Sequence, residues 1–186
     1  MENNFPRVTE ILQGAGLTDF SHVPVYILEA AQKFGTAAHK ACELWDLGTL
    51  NIDTLSAPLI PRLEAWKKFK MDYKIDEFMA IEERLQSAKW QFRGTPDRIY
   101  QVNKNTVAIY DIKTAETILP AVAIQMAGYQ ILAEENYKTK KIIRWSIQLK
   151  DDGTYKIDQF TNPHDKSVFI SALNIYRWRK ENLNGN

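Results

Sequence analysis

A single cysteine, Cys42, occurs in 186 residues, so no disulfide within the chain can staple the fold. Apolar runs of membrane-spanning length are missing, and so is a signal-peptide pattern at the start of the sequence. Both absences point to a cytoplasmic protein with no membrane attachment. An excess of one charge is missing too. The 24 Lys and Arg residues against 23 Asp and Glu leave a formal net charge of +1, so a polyanionic partner would have to be attracted by local asymmetry. There is no glycine-rich phosphate loop, no Ser-His-Asp pattern, no internal repeat and no low-complexity tract. What is present is an ordinary globular composition, 45% hydrophobic and 25% charged, at about the length of one domain.

The most informative stretch runs from Gly94 to Gln130. Alternating apolar and polar residues in NTVAIYDIK read as a strand that ends in polar groups, and TPDRIYQ reads as a shorter strand before it. The polar residues Gln101 to Asn105 form a turn between them. Successive strand side chains point to opposite faces, so Asp111 and Lys113 share a face and Ile112 takes the other. The hairpin thus carries Asp97 on one arm and Asp111 with Lys113 on the other. Carboxylates suit a hard divalent cation, and an ammonium beside it can orient a water or stabilise charge on a phosphodiester. Without further context, an exposed hairpin with solvated charges is the better account of any one of these residues alone. Downstream, Gln125 and Tyr129 are four apart on one face of a helix that begins at Pro120.

In these residues the chain resembles the PD-(D/E)XK nuclease superfamily. Pro96-Asp97 stands as the PD, Asp111-Ile112-Lys113 as the (D/E)XK, and Gln125-Met126-Ala127-Gly128-Tyr129 as the QxxxY of the RecB-like and phage-type exonuclease branch. Upstream, Gly35-Thr36-Ala37-Ala38-His39 is similar to a helix motif of that branch whose histidine joins the metal site. The resemblance implies an α/β fold with a restriction-endonuclease-like core: a central mixed β-sheet flanked by helices, with a helical N-terminal segment. It also implies a Mg2+- or Mn2+-dependent deoxyribonuclease, an exonuclease of recombination, repair or phage DNA processing. The implied metal ligands are His39, Asp97, Asp111 and the carbonyl of Ile112, and Lys113 would orient the attacking water. Gln125 and Tyr129 would brace the catalytic groups or contact substrate, with Thr114 and Arg98 beside them. The family often places a glutamate on the preceding strand. Glu82 fits that role better than Glu83 if it faces away from Ile81 and Leu85, whereas a salt bridge to Arg84 or Arg93 is the competing reading. The lone cysteine departs from relatives that hold an iron–sulfur cluster, so no iron–sulfur cluster is expected. A DNA end is the implied partner, together with a recombination protein, in a bacterial or phage-infected cell. A site-specific endonuclease and a non-catalytic DNA-binding or assembly module with a nuclease fold are the alternatives.

The whole chain reads as one nuclease domain: a mainly helical part over 1–78, a sheet core with the QxxxY helix over 79–160, and a C-terminal helix over 161–186. Residues 24–47 read as helix, with Gly35 as a break or a close approach. Residues 58–75 form another helix with Pro61 in its first turn. There Lys67, Lys68, Lys70 and Lys74 make a positive strip, either a solvated face or a contact for a DNA backbone. A strand is expected through Ile81 to Gln86. In the 120–135 helix, Gly128 is expected to let the helix approach the sheet. A hairpin over 140–160 turns at Asp152-Gly153, and Asn162-Pro163 opens the last helix, whose expected apolar positions are Val168, Ile170, Leu173, Ile175 and Tyr176. Its end, YRWRKEN, is basic and aromatic. His22 and His164 have no supporting constellation.

Overall fold

A computed structural model describes residues 5–139 and 141–183. The ends of the expected first and last segments, and Lys140 at the start of the second hairpin, lie outside the described residues. Three helices come first: α1 (Val8–Gly14), α2 (Val25–Asp46) and α3 (Ile60–Asp72). The strands β1 (Ala80–Ile81), β2 (Leu85–Ser87), β3 (Phe92–Gly94), β4 (Arg98–Asn103) and β5 (Thr106–Lys113) follow. Helix α4 (Ala121–Tyr137) then crosses to β6 (Lys141–Leu149), β7 (Tyr155–Gln159) turns back, and α5 (Asp165–Asn182) closes the order.

The main sheet is five-stranded and mixed, in the order β1-β4-β5-β6-β7. β4 and β5 form the expected antiparallel hairpin, and β5 pairs in parallel with β6, the arrangement that a helical crossover such as α4 permits. β5 is therefore central and buried along nearly its whole length. Its pleat sorts the side chains: Val107 and Ile109 pack with α1, α4 and α5, while Ala108, Tyr110 and Ile112 pack with α2 and α3. Trp66 and Phe69 of α3 anchor the second layer in an aromatic cluster with Phe78 and Tyr110. Asp111 and Lys113 continue the Val107–Ile109 side, so the pleat delivers both to the layer that holds α4. Among the described residues no helix is long and apolar enough to cross a membrane.

Several local expectations are corrected. No strand runs from Ile81 to Gln86. β1 stops at Ile81 because Glu82 adopts a left-handed conformation, φ +49°, and the chain then forms β2 and β3, a separate antiparallel pair. Helix α2 is unbroken at Gly35, where an added Cβ would make only an ordinary 3.6 Å contact with Thr114. Gly128 does admit a close neighbour, but the neighbour is α5. A Cβ there would lie 2.7 Å from the ring of Phe169. On α5 itself the buried residues are Asp165, Phe169, Ala172 and Leu173, whereas Val168 and Ile175 are exposed.

The lysine strip on α3 is not a free basic face. Lys70 turns inward to Asp46 at 2.8 Å, Lys67 lies over Trp45 and pairs with Glu64, and Lys68 pairs with Asp72. The basic end of α5 is likewise tied down: Arg177 donates to the Trp90 carbonyl and Arg179 to that of Gly14.

Candidate active site

Asp97 sits just before β4, and its carboxylate faces the adjacent end of β5. The backbone N–H of Ile112 donates to its Oδ2 at 2.6 Å, and His39 Nδ1 from α2 lies 3.2 Å from its Oδ1. Burial favours the neutral acid, but the imidazolium of His39, the ammonium of Lys113 and the Ile112 N–H outweigh it and hold Asp97 below the usual carboxylate range. For His39, burial opposes charging, and the Asp97 carboxylate more than reverses this, raising its pKa to about 9.

Asp111 and Lys113 stand on the same face of β5, as the alternation requires, with Lys113 Nζ 2.7 Å from Asp111 Oδ2. Burial, reinforced by the negative charge of Asp97, pushes the Asp111 carboxyl upward, with Lys113 opposing. Burial alone would lower Lys113, yet the adjacent Asp111 keeps it raised and charged. From α4, Gln125 Nε2 donates to Asp111 Oδ1 at 3.1 Å and to the Tyr129 hydroxyl at 3.0 Å, while its Oε1 accepts from Lys113 at 3.4 Å. One turn of helix separates Gln125 from Tyr129, which is what lets a single amide bridge them. Gly94 supplies the room. A Cβ there would come within 2.8 Å of the Tyr129 ring, so β3 can lie against the tyrosine only without a side chain.

Glu82 also reaches this centre, although not by strand alternation. The left-handed turn at Glu82, secured by its N–H donating to the Asp97 carbonyl at 3.0 Å, ends β1 beside the site. Burial and the nearby Asp97 raise its pKa to about 7, against the pull of Arg98. Glu83 faces elsewhere and accepts from the Tyr137 hydroxyl. Arg98 pairs with Glu82 at 3.5 Å, whereas Arg93 donates to the Phe5 carbonyl.

Arg98, expected at the substrate, is fully buried and cannot meet one. Its Nε donates to Asp46 Oδ2 at 2.7 Å and an Nη donates to the Asp97 carbonyl at 2.6 Å, so it fixes the backbone from which Asp97 projects. Asp46, whose side chain is inaccessible, also accepts from Lys70 at 2.8 Å and from the Trp66 indole at 3.1 Å. Two cations and an indole on one carboxylate satisfy a buried charge that would otherwise be costly. Sequence reasoning missed Asp46. Its one signal is that it ends α2, where an acid opposes the helix dipole and calls for compensating cations. Thr114 is half-buried immediately after Lys113, near Gly35.

Hard divalent cations prefer oxygen donors. His39, Glu82 and Asp97 each offer a ligand atom, and all three atoms lie within 4.8 Å of one another. Asp111 Oδ2 is buried and lacks an aligned hydrogen bond, despite the nearby ammonium. Two carboxylates and one imidazole, those of Glu82, Asp97 and His39, thus make a donor set that fits a hard divalent ion, with Asp111 outside that cluster.

The sequence model of the PD-(D/E)XK nuclease superfamily matches residues 53–174. No curated protein matches the sequence. A solved structure from Eubacterium rectale, provisionally described as an exonuclease, superposes with a TM-score of 0.61 at 11% identity, covering 96% of this chain and 82% of that one. The alkaline exonuclease LHK-Exo of Laribacter hongkongensis gives a TM-score of 0.42 at 12% identity, with 98% and 95% covered. Its complex with dAMP gives 0.42 at 13% identity over the same shares. Similarity at this level is one of fold.

Proposed function

The chain belongs to the PD-(D/E)XK nuclease superfamily, and on that premise we propose that it is a divalent-metal-dependent deoxyribonuclease that degrades DNA from an end. The observation that carries this reading is the convergence of Asp97, Asp111 and Lys113 at one buried centre, braced by Gln125 and Tyr129. His39, Glu82, Asp97 and Asp111, with the carbonyl of Ile112, would hold the cation. Bound there, Mg2+ or Mn2+ would make a water acidic enough to attack phosphorus and would neutralise charge on the phosphate.

The remaining work falls to the chain's own groups. Lys113, held between Asp111 and Gln125, presents a fixed ammonium that orients the attacking water and stabilises the negative charge gathering on the phosphoryl oxygens. Gln125 keeps Asp111 and Lys113 in register, and Tyr129 fixes the amide of Gln125. Thr114, immediately after β5, would contact the substrate strand. Attack from an end, rather than within a duplex, is favoured by the fold likeness to the Eubacterium rectale structure described as an exonuclease. A role in recombination, repair or phage DNA processing, beside a recombination protein, follows from the same branch of the family.

The test is degradation of linear and circular DNA, single- and double-stranded, with Mg2+, Mn2+ or EDTA, alongside Asp111→Asn. Loss of linear DNA alone, abolished by EDTA and by the substitution, is the expected result. Nicking of circles would make the protein an endonuclease, and DNA binding without cleavage would make it a non-catalytic module.

A further inference from the structure

A groove of about 990 Å³ opens onto the Lys113–Gln125 edge of the site, between the loop that follows α1, the start of α2 and the approach to α4. That volume lies at the upper end of ordinary ligand clefts, about 300–1,000 Å³. Its lining is unlike a phosphate track. Among the described residues, Lys113 is the only cation that lines it, Asp111 already holds that ammonium, and Asp19 adds a negative charge. Backbone binding to DNA needs Lys or Arg at the phosphates. What the groove does offer is Phe20 and Leu119, 41% and 40% exposed, beside the neutral polar side chains of Gln13, Gln32 and Thr18. Exposed apolar faces with amides and a hydroxyl nearby suit nucleobases, which stack on aromatic rings and hydrogen-bond at their edges.

We infer that this groove receives the unpaired bases of a DNA strand whose scissile phosphate lies at Lys113, with Phe20 as the stacking face. The inference rests on the nuclease reading and narrows its substrate to a single-stranded end. Bases paired within a duplex are turned inward and could not reach Phe20, so the strand would have to enter the groove already separated from its complement.

The test is fluorescence anisotropy in EDTA with two labelled probes of equal length, oligothymidylate and a strand of abasic sites that keeps the phosphates. The full-length protein should bind oligothymidylate about tenfold more tightly than the abasic strand. Phe20→Ala should remove most of that difference, and Phe20→Trp should retain it, because a stacking face survives. Phe20 is exposed on a loop, so neither substitution threatens folding, and circular dichroism checks this. Equal affinity for the two probes, no binding of either, or a full difference surviving in Phe20→Ala would overturn the inference. A parallel hydrolysis assay separates the two failures. Metal-dependent cleavage without base-dependent binding sinks the groove alone, whereas base-dependent binding without cleavage under any cation sinks the nuclease reading and leaves a single-strand-binding groove.

Discussion

The two halves of the site are built in opposite ways. The Asp111 half is local: Asp111 and Lys113 are two apart on β5, Gln125 and Tyr129 are four apart on α4, and one glutamine amide links all of them. The Asp97 half is assembled from distant segments. His39 comes from α2, Glu82 from a left-handed turn, and the backbone beneath Asp97 is pinned by Arg98 on a buried Asp46. One half is held by secondary-structure periodicity and the other by tertiary ion pairs. The first should therefore fail in chemistry and the second in stability when their supports are removed.

The largest expected effect is on activity. Asp111→Asn should abolish cleavage, and Lys113→Ala should cost about 10²–10³-fold in kcat, both with unfolding transitions close to wild type. A strongly destabilised Lys113→Ala would erase the distinction between the halves. Asp46→Ala, remote from the substrate, should instead lower folding stability by about 3–5 kcal/mol, because Arg98 and Lys70 would be left as buried cations without their carboxylate. Urea unfolding reads this directly, and a loss below about 1 kcal/mol would show that the network is slack. Gln125→Ala should reduce turnover by about 10–100-fold with little change in stability, as loss of a supporting hydrogen-bond partner does at metal centres. Unchanged turnover would deny the amide its bridging role. The smallest effect is expected from Gly128→Ala. The 2.7 Å approach to Phe169 forces a shift between α4 and α5 that should cost about 1–3 kcal/mol, measured as a lower melting temperature.

The same contrast explains what could be read from the sequence. The β4–β5 hairpin, the shared face of Asp111 and Lys113, and the pairing of Gln125 with Tyr129 follow from periods of two and four residues, and the structure contains each of them. His39 came only through the resemblance, because nothing local marks a histidine on α2 as facing Asp97. Strand alternation favours Glu82 over Glu83, yet it is the turn ending β1 that brings Glu82 beside the site. The resemblance puts Arg98 beside the substrate, but the side chain is buried on Asp46, a depth that neither the motif nor the strand pattern reveals. Gly128 marks a close approach as expected, but to Phe169 of α5 rather than to the sheet, because nothing local to α4 shows that α5 packs over it. Tertiary electrostatics, in short, leaves almost no periodic trace.

The central claim is that both halves serve one cation, and Mn2+ titration by isothermal calorimetry without DNA tests it most directly. One binding site is predicted in the wild-type protein, lost in both Asp97→Asn and Asp111→Asn and retained in Gln125→Ala. Undiminished Mn2+ binding in Asp111→Asn would contradict the account, because His39, Glu82 and Asp97 would then hold the ion without the other half.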